Sequence, residues 1–356
     1  MLNCGMVTIV YNLAMLLVGT VAVGLVVRGR RPVDLLIAGG FAGTVAIVLA
    51  GGLSGGSMFD FLRLLSYGLF LCGPLLLVVS AAVLFKPARR TAVACAAAAL
   101  VIVSVAVDAF WIEPYWLEVT RHTVSSPKAS RPLRIVLIAD LQTDRIGPYE
   151  RYVLRRAIEE RPDVMLLAGD YLQEYDPIAW EGLRVELNNY LHEIDFDAPL
   201  GVYAVQGNTD NRGRWPEVFE GLPVIAVRET TRFDSDDFTI TALSETDSFN
   251  SRLRVEPADR FHIVLGHSPD FALGDVSADL LLAGHVHGGQ VRLPGIGPLV
   301  TLSRIPRRWT SGLTGLPGGN HLLVSRGIGM ERGGAPRLRF LCRPELAVIE
   351  VVPRGR

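Results

Sequence analysis

The hydrophobic pattern divides the chain into two parts. In the first third, four long runs are uncharged and mostly apolar, and the first three are long enough to cross about 30 Å of hydrocarbon. The runs are Cys4–Val27, Leu35–Met58, Leu64–Phe85 and Thr91–Val107. A signal peptide or a buried core helix explains one such run but not four in succession. The pattern therefore predicts a transmembrane domain of about four helices over residues 1–115.

The rest of the chain contains shorter apolar runs, which are typical of buried strands. Five of them are rich in Val, Ile and Leu, and each stops at a residue that can bind a metal ion. They are Arg134–Ala139, Val164–Ala168, Val202–Gln206, Ile263–Leu265 and Leu280–Ala283. Helical spacing at Tyr149–Glu160 and at Pro177–Ile194 predicts helices between the strands. We expect an α/β domain over residues 131–356, joined to the transmembrane helices by a linker at residues 116–130.

The residues that follow these five runs form a candidate metal site. Open α/β sheets bind ligands along the carboxyl ends of their strands, so these residues would meet in one crevice. They are Asp140, Asp170, Asn208, His267, His285 and His287. Taken singly, Asp140 could cap the next helix and Asn208 could hold a turn. Taken together, two carboxylates, one amide and three imidazoles predict a metal centre.

The strand ends match, in order, the motifs D-x-H, G-D, G-N-H-D/E, G-H and G-H-x-H of the calcineurin-like metallophosphoesterases. Here these positions read Asp140-Leu141-Gln142, Gly169-Asp170, Gly207-Asn208-Thr209-Asp210, Gly266-His267 and Gly284-His285-Val286-His287. The resemblance extends from Arg131 to the C-terminus. Gly288-Gly289-Gln290 resembles the branch of the family whose members are often membrane-attached or exported. The resemblance implies a two-sheet α/β sandwich with flanking helices and a metal-dependent phosphoric ester hydrolase.

The resemblance also implies two divalent metal ions, bridged by Asp170. It assigns Asp140, Asp170 and His287 to one ion, with Gln142 where the family has a histidine. It assigns Asp170, Asn208, His267 and His285 to the other ion. An amide oxygen at Gln142 favours Mn, Mg or Ca over Zn, unless Gln142 faces solvent. The identity of the ions stays open among Mn, Fe, Zn, Ni and Mg.

A second departure from the family lies beside the expected phosphate. Thr209 stands where the family has a histidine that helps the leaving group depart, while the neighbouring Asp210 matches. We predict both as catalytic-site residues, with a metal-activated hydroxide as the nucleophile. The substrate is expected to be a phosphodiester, a pyrophosphate or a phosphomonoester. The loss of the histidine favours a diester or an anhydride, whose leaving group needs less protonation.

The basic residues between the hydrophobic runs predict the orientation. Arg28, Arg30 and Arg31 follow the first run, Lys86, Arg89 and Arg90 follow the third, and only Arg63 lies between the second and third. Because loops rich in Lys and Arg stay in the cytoplasm, the amino terminus and the hydrolase should both lie outside it. The prediction is a multi-pass protein of the cell membrane with an extracytoplasmic catalytic domain.

Composition limits the remaining function classes. A net charge of −1 argues against binding nucleic acid through a broad basic face. The partners expected are the membrane and a phosphoester that could be derived from lipid or from the cell envelope. A different class of function stays open, a membrane sensor or scaffold that has lost turnover through Gln142 and Thr209. A transporter is less favoured, because the charged residues lie at the ends of the spans and not within them.

Overall fold

The computed structural model describes residues 4–210 and 213–354. Residues 1–3, 211–212 and 355–356 belong to the predicted domains but lie outside the described residues. The chain separates into two compact units. One contains the helices up to Trp111 together with Glu331–Arg337, and the other contains Ile112–Met330 and the chain from Leu338 onward. The boundaries predicted at residues 115 and 131 remain predictions.

The first unit is helical. Its helices are α1 (Cys4–Gly29), α2 (Pro32–Leu53), α3 (Met58–Tyr67), α4 (Gly73–Leu84) and α5 (Arg89–Val107). Further helical turns join α3 to α4 and extend α5. Within the described residues, four helices are long and apolar enough to cross a membrane, namely Gly5–Gly29, Pro32–Leu53, Met58–Leu84 and Arg89–Tyr115. This confirms the prediction of four long apolar helices.

The second predicted span ends earlier than the hydrophobic pattern suggests. It stops at Leu53 because Gly55 and Gly56 adopt φ values of +60° and +86°, which end the helix. The hydroxyl of Ser57 then accepts the N–H of Asp60 at 3.2 Å and caps α3. Arg63, which follows this turn, is 5% exposed and pairs with Asp60 at 2.5 Å.

The second unit is built from strands and short helices. Its strands are β1 (Glu118–Ser126), β2 (Leu133–Ile138), β3 (Val164–Leu167), β4 (Val202–Val205), β5 (Val224–Val227), β6 (Thr231–Asp234), β7 (Phe238–Ala242), β8 (Arg254–Val255), β9 (Phe261–Leu265), β10 (Asp275–Val276), β11 (Leu280–Ala283), β12 (Arg292–Leu293), β13 (Gly297–Pro298), β14 (Gly312–Gly315), β15 (His321–Val324) and β16 (Glu345–Pro353). Its helices are α6 (Pro148–Glu159), α7 (Pro177–Glu193) and α8 (Glu245–Ser248). All five predicted strands are present, and α6 and α7 confirm the two predicted helices.

Two six-stranded sheets form the body of this unit, in the orders β1-β16-β2-β3-β4-β5 and β14-β15-β11-β9-β7-β6. Strands β2 to β5 are parallel, as are β7, β9, β11 and β15. Parallel neighbours bring their carboxyl ends to the same edge of each sheet. The mixed α/β class with two main sheets is therefore confirmed.

The strands alternate their apolar side chains between two cores, as the period of two requires. Leu137 and Leu166 of the first sheet pack in one buried cluster with Ile263 and Leu282 of the second, so the two sheets form a sandwich. The neighbouring residues Val136 and Met165 face the other way and pack against Val153 of α6 and Leu187 of α7. The helices thus cover the outer face of the first sheet.

Most of the predicted linker at residues 116–130 is a strand. Glu118–Ser126 forms β1, which pairs in parallel with β16 from Glu118↔Glu345 to Ser126↔Pro353. The polar composition of this segment suggested a connection, but an edge strand needs few apolar residues. Its pairing partner lies at the far end of the chain, where local sequence does not reveal it. Of the predicted linker, only residues 116–117 before β1 and 127–130 after it lie outside the strand.

Candidate metal centre

Three of the predicted ligands converge at the carboxyl ends of the strands. Asp140 follows β2, Asp170 follows β3, and His267 follows β9 in the second sheet. One ligand atom from each lies within 4.8 Å of the others. All three side chains are at most 2% exposed. The sandwich therefore brings the ends of its two sheets together at one buried cluster.

Asn208 and His285 lie next to this cluster. Asn208 Oδ1 is 2.8 Å from His267 Nε2, and Asp170 Oδ2 is 3.5 Å from the same nitrogen. The rings of His267 and His285 have centroids 5.0 Å apart. The backbone N–H of His285 also donates to the Asp140 carboxylate at 3.0 Å. Five of the predicted ligands therefore form one contiguous group.

Backbone strain is concentrated at the same residues. Positive φ values occur at Asp140 (+51°), Gln142 (+35°), Asp170 (+56°), His285 (+69°) and His287 (+47°). Each such residue costs about 1–3 kcal/mol and persists only where its surroundings hold it. Strain of this kind clusters at functional sites, and here it coincides with the residues that the sequence selected.

The glycines that precede the ligands let the strand ends approach closely. Gly169 has φ +86°, and a Cβ there would lie 2.5 Å from the backbone nitrogen of Gly207. A Cβ at Gly284 would lie 2.7 Å from Asp140 Oδ2. Neither distance is sterically possible. Glycine is therefore required before Asp170 and His285 because no side chain fits at these positions, and not only because a turn needs flexibility.

The hydrogen bond of His267 to the backbone leaves a lone pair on Nε2 that faces the side-chain oxygen of Asn208. Its Nδ1 lies 2.8 Å from the carbonyl of Ala168 and donates to it, so Nε2 is the bare nitrogen. Burial lowers the pKa of His267 to about 4, so the ring is neutral at pH 7. Nε2 and Asn208 Oδ1 are then two acceptors only 2.8 Å apart. A cation bound by both atoms turns this repulsion into attraction.

His285 is held in a similar way. Its Nε2 donates to the carbonyl of Leu302 at 3.3 Å, which leaves Nδ1 as the bare nitrogen. The ring packs edge-to-face on Phe249 with centroids 4.9 Å apart. Burial lowers its pKa to about 4, with a smaller contribution from His267. Both histidines are thus neutral and oriented, as metal-binding imidazoles must be.

The two buried carboxylates of the cluster repel each other when both are ionised. Burial raises the pKa of Asp140 well above its usual value, and the charge of Asp170 raises it further. Burial also raises the pKa of Asp170, against the opposing effect of the Thr209 N–H, which donates to Oδ1 at 2.8 Å. Two buried carboxylates beside two bare imidazole nitrogens fit a divalent cation, which relieves the like-charge repulsion.

Residues 133–289 match the calcineurin-like phosphoesterase family. The chain carries a calcineurin-like phosphoesterase domain. This confirms the family resemblance and the expectation of a metal-dependent hydrolase. The family uses divalent metals, in agreement with the donor set described above.

Characterised and uncharacterised relatives share this domain over most of their length. The chain is 29% identical to the uncharacterized metallophosphoesterase YkuE of Bacillus subtilis, over 67% of this chain and 86% of YkuE. It is 27% identical to phosphodiesterase YaeI of Escherichia coli, over 68% and 91% of the two chains. It is 25% identical to UDP-2,3-diacylglucosamine pyrophosphatase LpxG of Chlamydia muridarum, over 67% and 90%.

Gln142 and His287 of the phosphoesterase domain are buried, at 0% and 6% exposure. The side-chain amide of Gln142 donates to Gln173 Oε1 at 3.0 Å. His287 Nδ1 lies 3.4 Å from Nη2 of Arg339. Gln142 therefore does not face solvent. Coordination of a metal by these two residues stays a prediction.

Thr209 and Asp210 lie beside the cluster, and their predicted catalytic role stays a prediction. The carboxylate of Asp210 accepts the backbone N–H groups of Asp170 at 2.9 Å, Tyr171 at 2.8 Å and Gly207 at 2.8 Å. These bonds occupy both oxygens and tie the ends of β3 and β4 together. Thr209 is partly exposed and holds Asp170 through its backbone. The geometry favours a positioning role for Asp210.

Arg339 is the residue of the site that the sequence did not indicate. It is fully buried, and its guanidinium donates to the carbonyls of Arg326 at 2.8 Å, Gly329 at 2.5 Å and Cys342 at 3.0 Å. The N–H of Gly329 in turn donates to the Asp140 carbonyl at 2.7 Å. Arg339 thus supports the backbone of a candidate ligand. The sequence around it contains two arginines two residues apart, and nothing local shows which one is buried.

Proposed function

We propose that this chain is a membrane-anchored phosphoesterase that uses two divalent metal ions to hydrolyse a phosphodiester or a pyrophosphate. The observation that carries the proposal is the convergence of His267 Nε2, Asn208 Oδ1 and Asp170 Oδ2, three electron-pair donors. A cation bound between these atoms would relieve their mutual repulsion. Its residues are those that the family motifs select.

The proposed ligands divide into two sets that share Asp170. His267, His285 and Asn208 hold one ion with Asp170. Asp140 and His287 hold the other, with Gln142 as its weaker ligand. Bound metals of this kind supply an activated water nucleophile and neutralise charge on the phosphoryl group.

The protein groups around the metals act by holding them and by keeping the site neutral enough for phosphate. Neutral His267 and His285 add ligands without adding negative charge. Asp210 fixes the two loops that carry Asp170 and Asn208. Thr209 offers no proton to a leaving group at neutral pH, so good leaving groups are favoured. An anhydride or an activated diester meets this requirement better than an alkyl monoester does.

The names of the relatives agree with this substrate class. YaeI is named a phosphodiesterase, and LpxG is named a pyrophosphatase of a diacylated sugar nucleotide. Both substrates are diesters or anhydrides of phosphoric acid. A phosphoester derived from lipid or from the cell envelope is the candidate for this chain, because its apolar helices hold the enzyme at a membrane.

We propose further that the catalytic domain lies outside the cytoplasm in a multi-pass arrangement. Arg28, Arg30 and Arg31 lie at the junction of the first and second spans, and Lys86, Arg89 and Arg90 lie at the junction of the third and fourth. Arg63 lies within the third span and is paired with Asp60. A reporter that is active only in the cytoplasm, fused after Arg356, should be inactive. An active reporter would reverse the proposed topology.

The substrate class is tested with detergent-purified protein loaded with Mn, Mg, Zn, Ni or Fe. Bis-p-nitrophenyl phosphate and a nucleoside diphosphate derivative should be hydrolysed faster than simple alkyl phosphates, and an Asp170→Asn variant should hydrolyse none of them. Faster hydrolysis of alkyl phosphates than of every diester and pyrophosphate would refute the substrate class. Absence of hydrolysis with every metal would favour a sensor or scaffold.

A further inference from the structure

The loop that follows the last histidine motif exposes large apolar side chains. Ile296, Leu299 and Leu302 are 60%, 47% and 52% exposed. They lie on and after the hairpin formed by β12 and β13. Single exposed apolar residues are common on protein surfaces, but a group of them beside a functional site is characteristic of an interaction surface.

This loop contacts the metal centre at two points. The carbonyl of Leu302 accepts from His285 Nε2 at 3.3 Å. Gly289, two residues after His287, has φ +86°, and a Cβ there would lie 2.2 Å from the Cβ of Pro298. The loop therefore packs directly on the residues that follow both histidines. A molecule bound along the loop would reach the metal centre.

Leu341 extends the apolar surface. Its neighbour Phe340 bridges to Val291 and accepts the N–H of Arg292 at 2.9 Å, which joins this segment to the hairpin. Leu341 itself is 52% exposed and has φ +52°. We refer to Ile296, Leu299, Leu302 and Leu341 as the apolar rim.

The backbone of the rim is tied to Glu113, which precedes β1. The carboxylate of Glu113 accepts the N–H of Leu341 at 2.8 Å and also the N–H of Cys342. Glu113 is 4% exposed. Trp116, which follows, is 55% exposed and stacks under Arg343 at 4.3 Å, as expected of an aromatic residue at a membrane surface.

Charge next to the rim complements a phosphorylated amphiphile. Arg304, Arg307 and Arg308 follow Leu302 directly and are exposed. Basic residues beside apolar ones are suited to anionic headgroups at a membrane surface. The rim thus combines apolar side chains, nearby positive charge and direct contact with a candidate metal ligand.

We propose that the apolar rim binds the hydrocarbon chain of a membrane-borne phosphoester whose phosphate occupies the metal centre. This inference rests on the proposed function and specifies its substrate class as an amphiphile. Burial of hydrocarbon strengthens binding roughly fourfold for each methylene group fully removed from water. A long chain should therefore raise kcat/KM well above that of a short-chain ester with the same leaving group.

The test compares two p-nitrophenyl phosphodiesters, one with an ethyl group and one with a hexadecyl group, in mixed micelles of fixed composition. The metal-loaded full-length protein should prefer the hexadecyl ester. The variant Ile296→Ser, Leu299→Ser should lose roughly tenfold or more of that preference and keep its rate on the ethyl ester within about twofold. The matched control is Ile178→Ser, Ile225→Ser, which alters exposed apolar residues elsewhere and should keep the preference.

Each of the following results would overturn the proposal. The wild-type protein could hydrolyse both esters without preference, the rim variant could keep the full preference, or a folded, metal-loaded rim variant could lose both activities equally. A rim variant that shifts from dimer to monomer with unchanged preference would identify the occupant as a second copy and would also overturn it. If the double variant does not fold, Ile296→Ser alone is judged by the same loss of preference.

Failure of the proposed function has a different signature. It is indicated when neither ester is hydrolysed with any metal. In that case, calorimetry compares the affinity for hexadecylphosphonate with the affinity for ethylphosphonate. This comparison tests hydrocarbon binding by the rim without any hydrolysis. Tighter binding of the long chain that weakens in the rim variant supports it, and equal binding overturns it.

Discussion

Nη2 of Arg339 lies 3.4 Å from Nδ1 of His287, and both side chains are buried beside the candidate metal centre. The same guanidinium donates to a series of backbone carbonyls, including that of Gly329. A fixed positive charge therefore supports the side of the site where Gln142 replaces the family's histidine. Its charge also lowers the pKa of Asp140, against the larger effects of burial and of Asp170.

Replacement of Arg339 by Lys should destabilise the catalytic domain. Lysine keeps the charge but cannot donate in the planar geometry that reaches the carbonyls of Arg326, Gly329 and Cys342. Leaving buried carbonyls unsatisfied should lower the free energy of unfolding by about 2–3 kcal/mol. Denaturant unfolding followed by tryptophan fluorescence measures this change. Arg337→Lys alters an exposed arginine two residues away and should change stability little; equal stability of both variants would contradict the proposed support.

Asp210→Asn should weaken metal binding more than it impairs the chemical step. The amide offers one oxygen where the carboxylate accepts three backbone N–H groups, so the loops carrying Asp170 and Asn208 lose their connection. We expect metal affinity to fall about 10–100-fold, as for other groups that orient ligands. Metal titration of the hydrolysis rate separates the two effects, with Asp236→Asn as an exposed control. A loss of turnover that persists at saturating metal, with normal affinity, would favour the catalytic assignment of Asp210 over the positioning role.

The stability of the metal-free protein should depend on His267 at acid pH. Burial lowers the pKa of His267 from 6.5 to about 4, so between these values the unfolded chain binds a proton that the folded domain does not. Burial of neutral His267 therefore does not lower the free energy of unfolding above pH 6.5. As the pH falls below that value, it lowers this free energy increasingly, by about 3 kcal/mol near pH 4. Relative to a His267→Asn variant, the wild-type free energy of unfolding should fall by that amount between pH 7 and pH 4. Parallel curves for the two proteins would show that His267 is not buried in the neutral form.

The strand ends illustrate what the sequence predicts well. Short Val, Ile and Leu runs followed by Gly169-Asp170 or Gly266-His267 specify both a buried strand and a close approach, because a side chain at the glycine would collide with the neighbouring strand. The contributions of β1 and Arg339 were not predictable in this way. Each depends on a partner far along the chain, β16 for the strand and the ring of His287 for the arginine. Local pattern carries no information about such pairs.

Gln142→His should strengthen the weaker of the two proposed metal sites. An imidazole at this position replaces an amide that now donates to Gln173, and nitrogen ligands raise the affinity for Zn, Ni and Fe over Mg. We expect about tenfold tighter binding of the second ion and a shift of preference towards Zn. Metal content after dialysis against graded chelator measures both. Gln173→Asn, which changes the neighbour and not the ligand, is the control, and unchanged affinity in Gln142→His would place this residue outside the coordination sphere.

The central claim is that the cluster around Asp170 and His267 holds metals that hydrolyse a phosphoester. Its most direct test is hydrolysis of bis-p-nitrophenyl phosphate by detergent-purified protein that has been stripped with chelator and resupplied with Mn, Mg, Zn, Ni or Fe, beside a His285→Ala, His287→Ala double variant. The account predicts activity that is abolished by chelation, restored by at least one metal and absent from the folded double variant. Activity that survives chelation, or that the double variant retains, would contradict it.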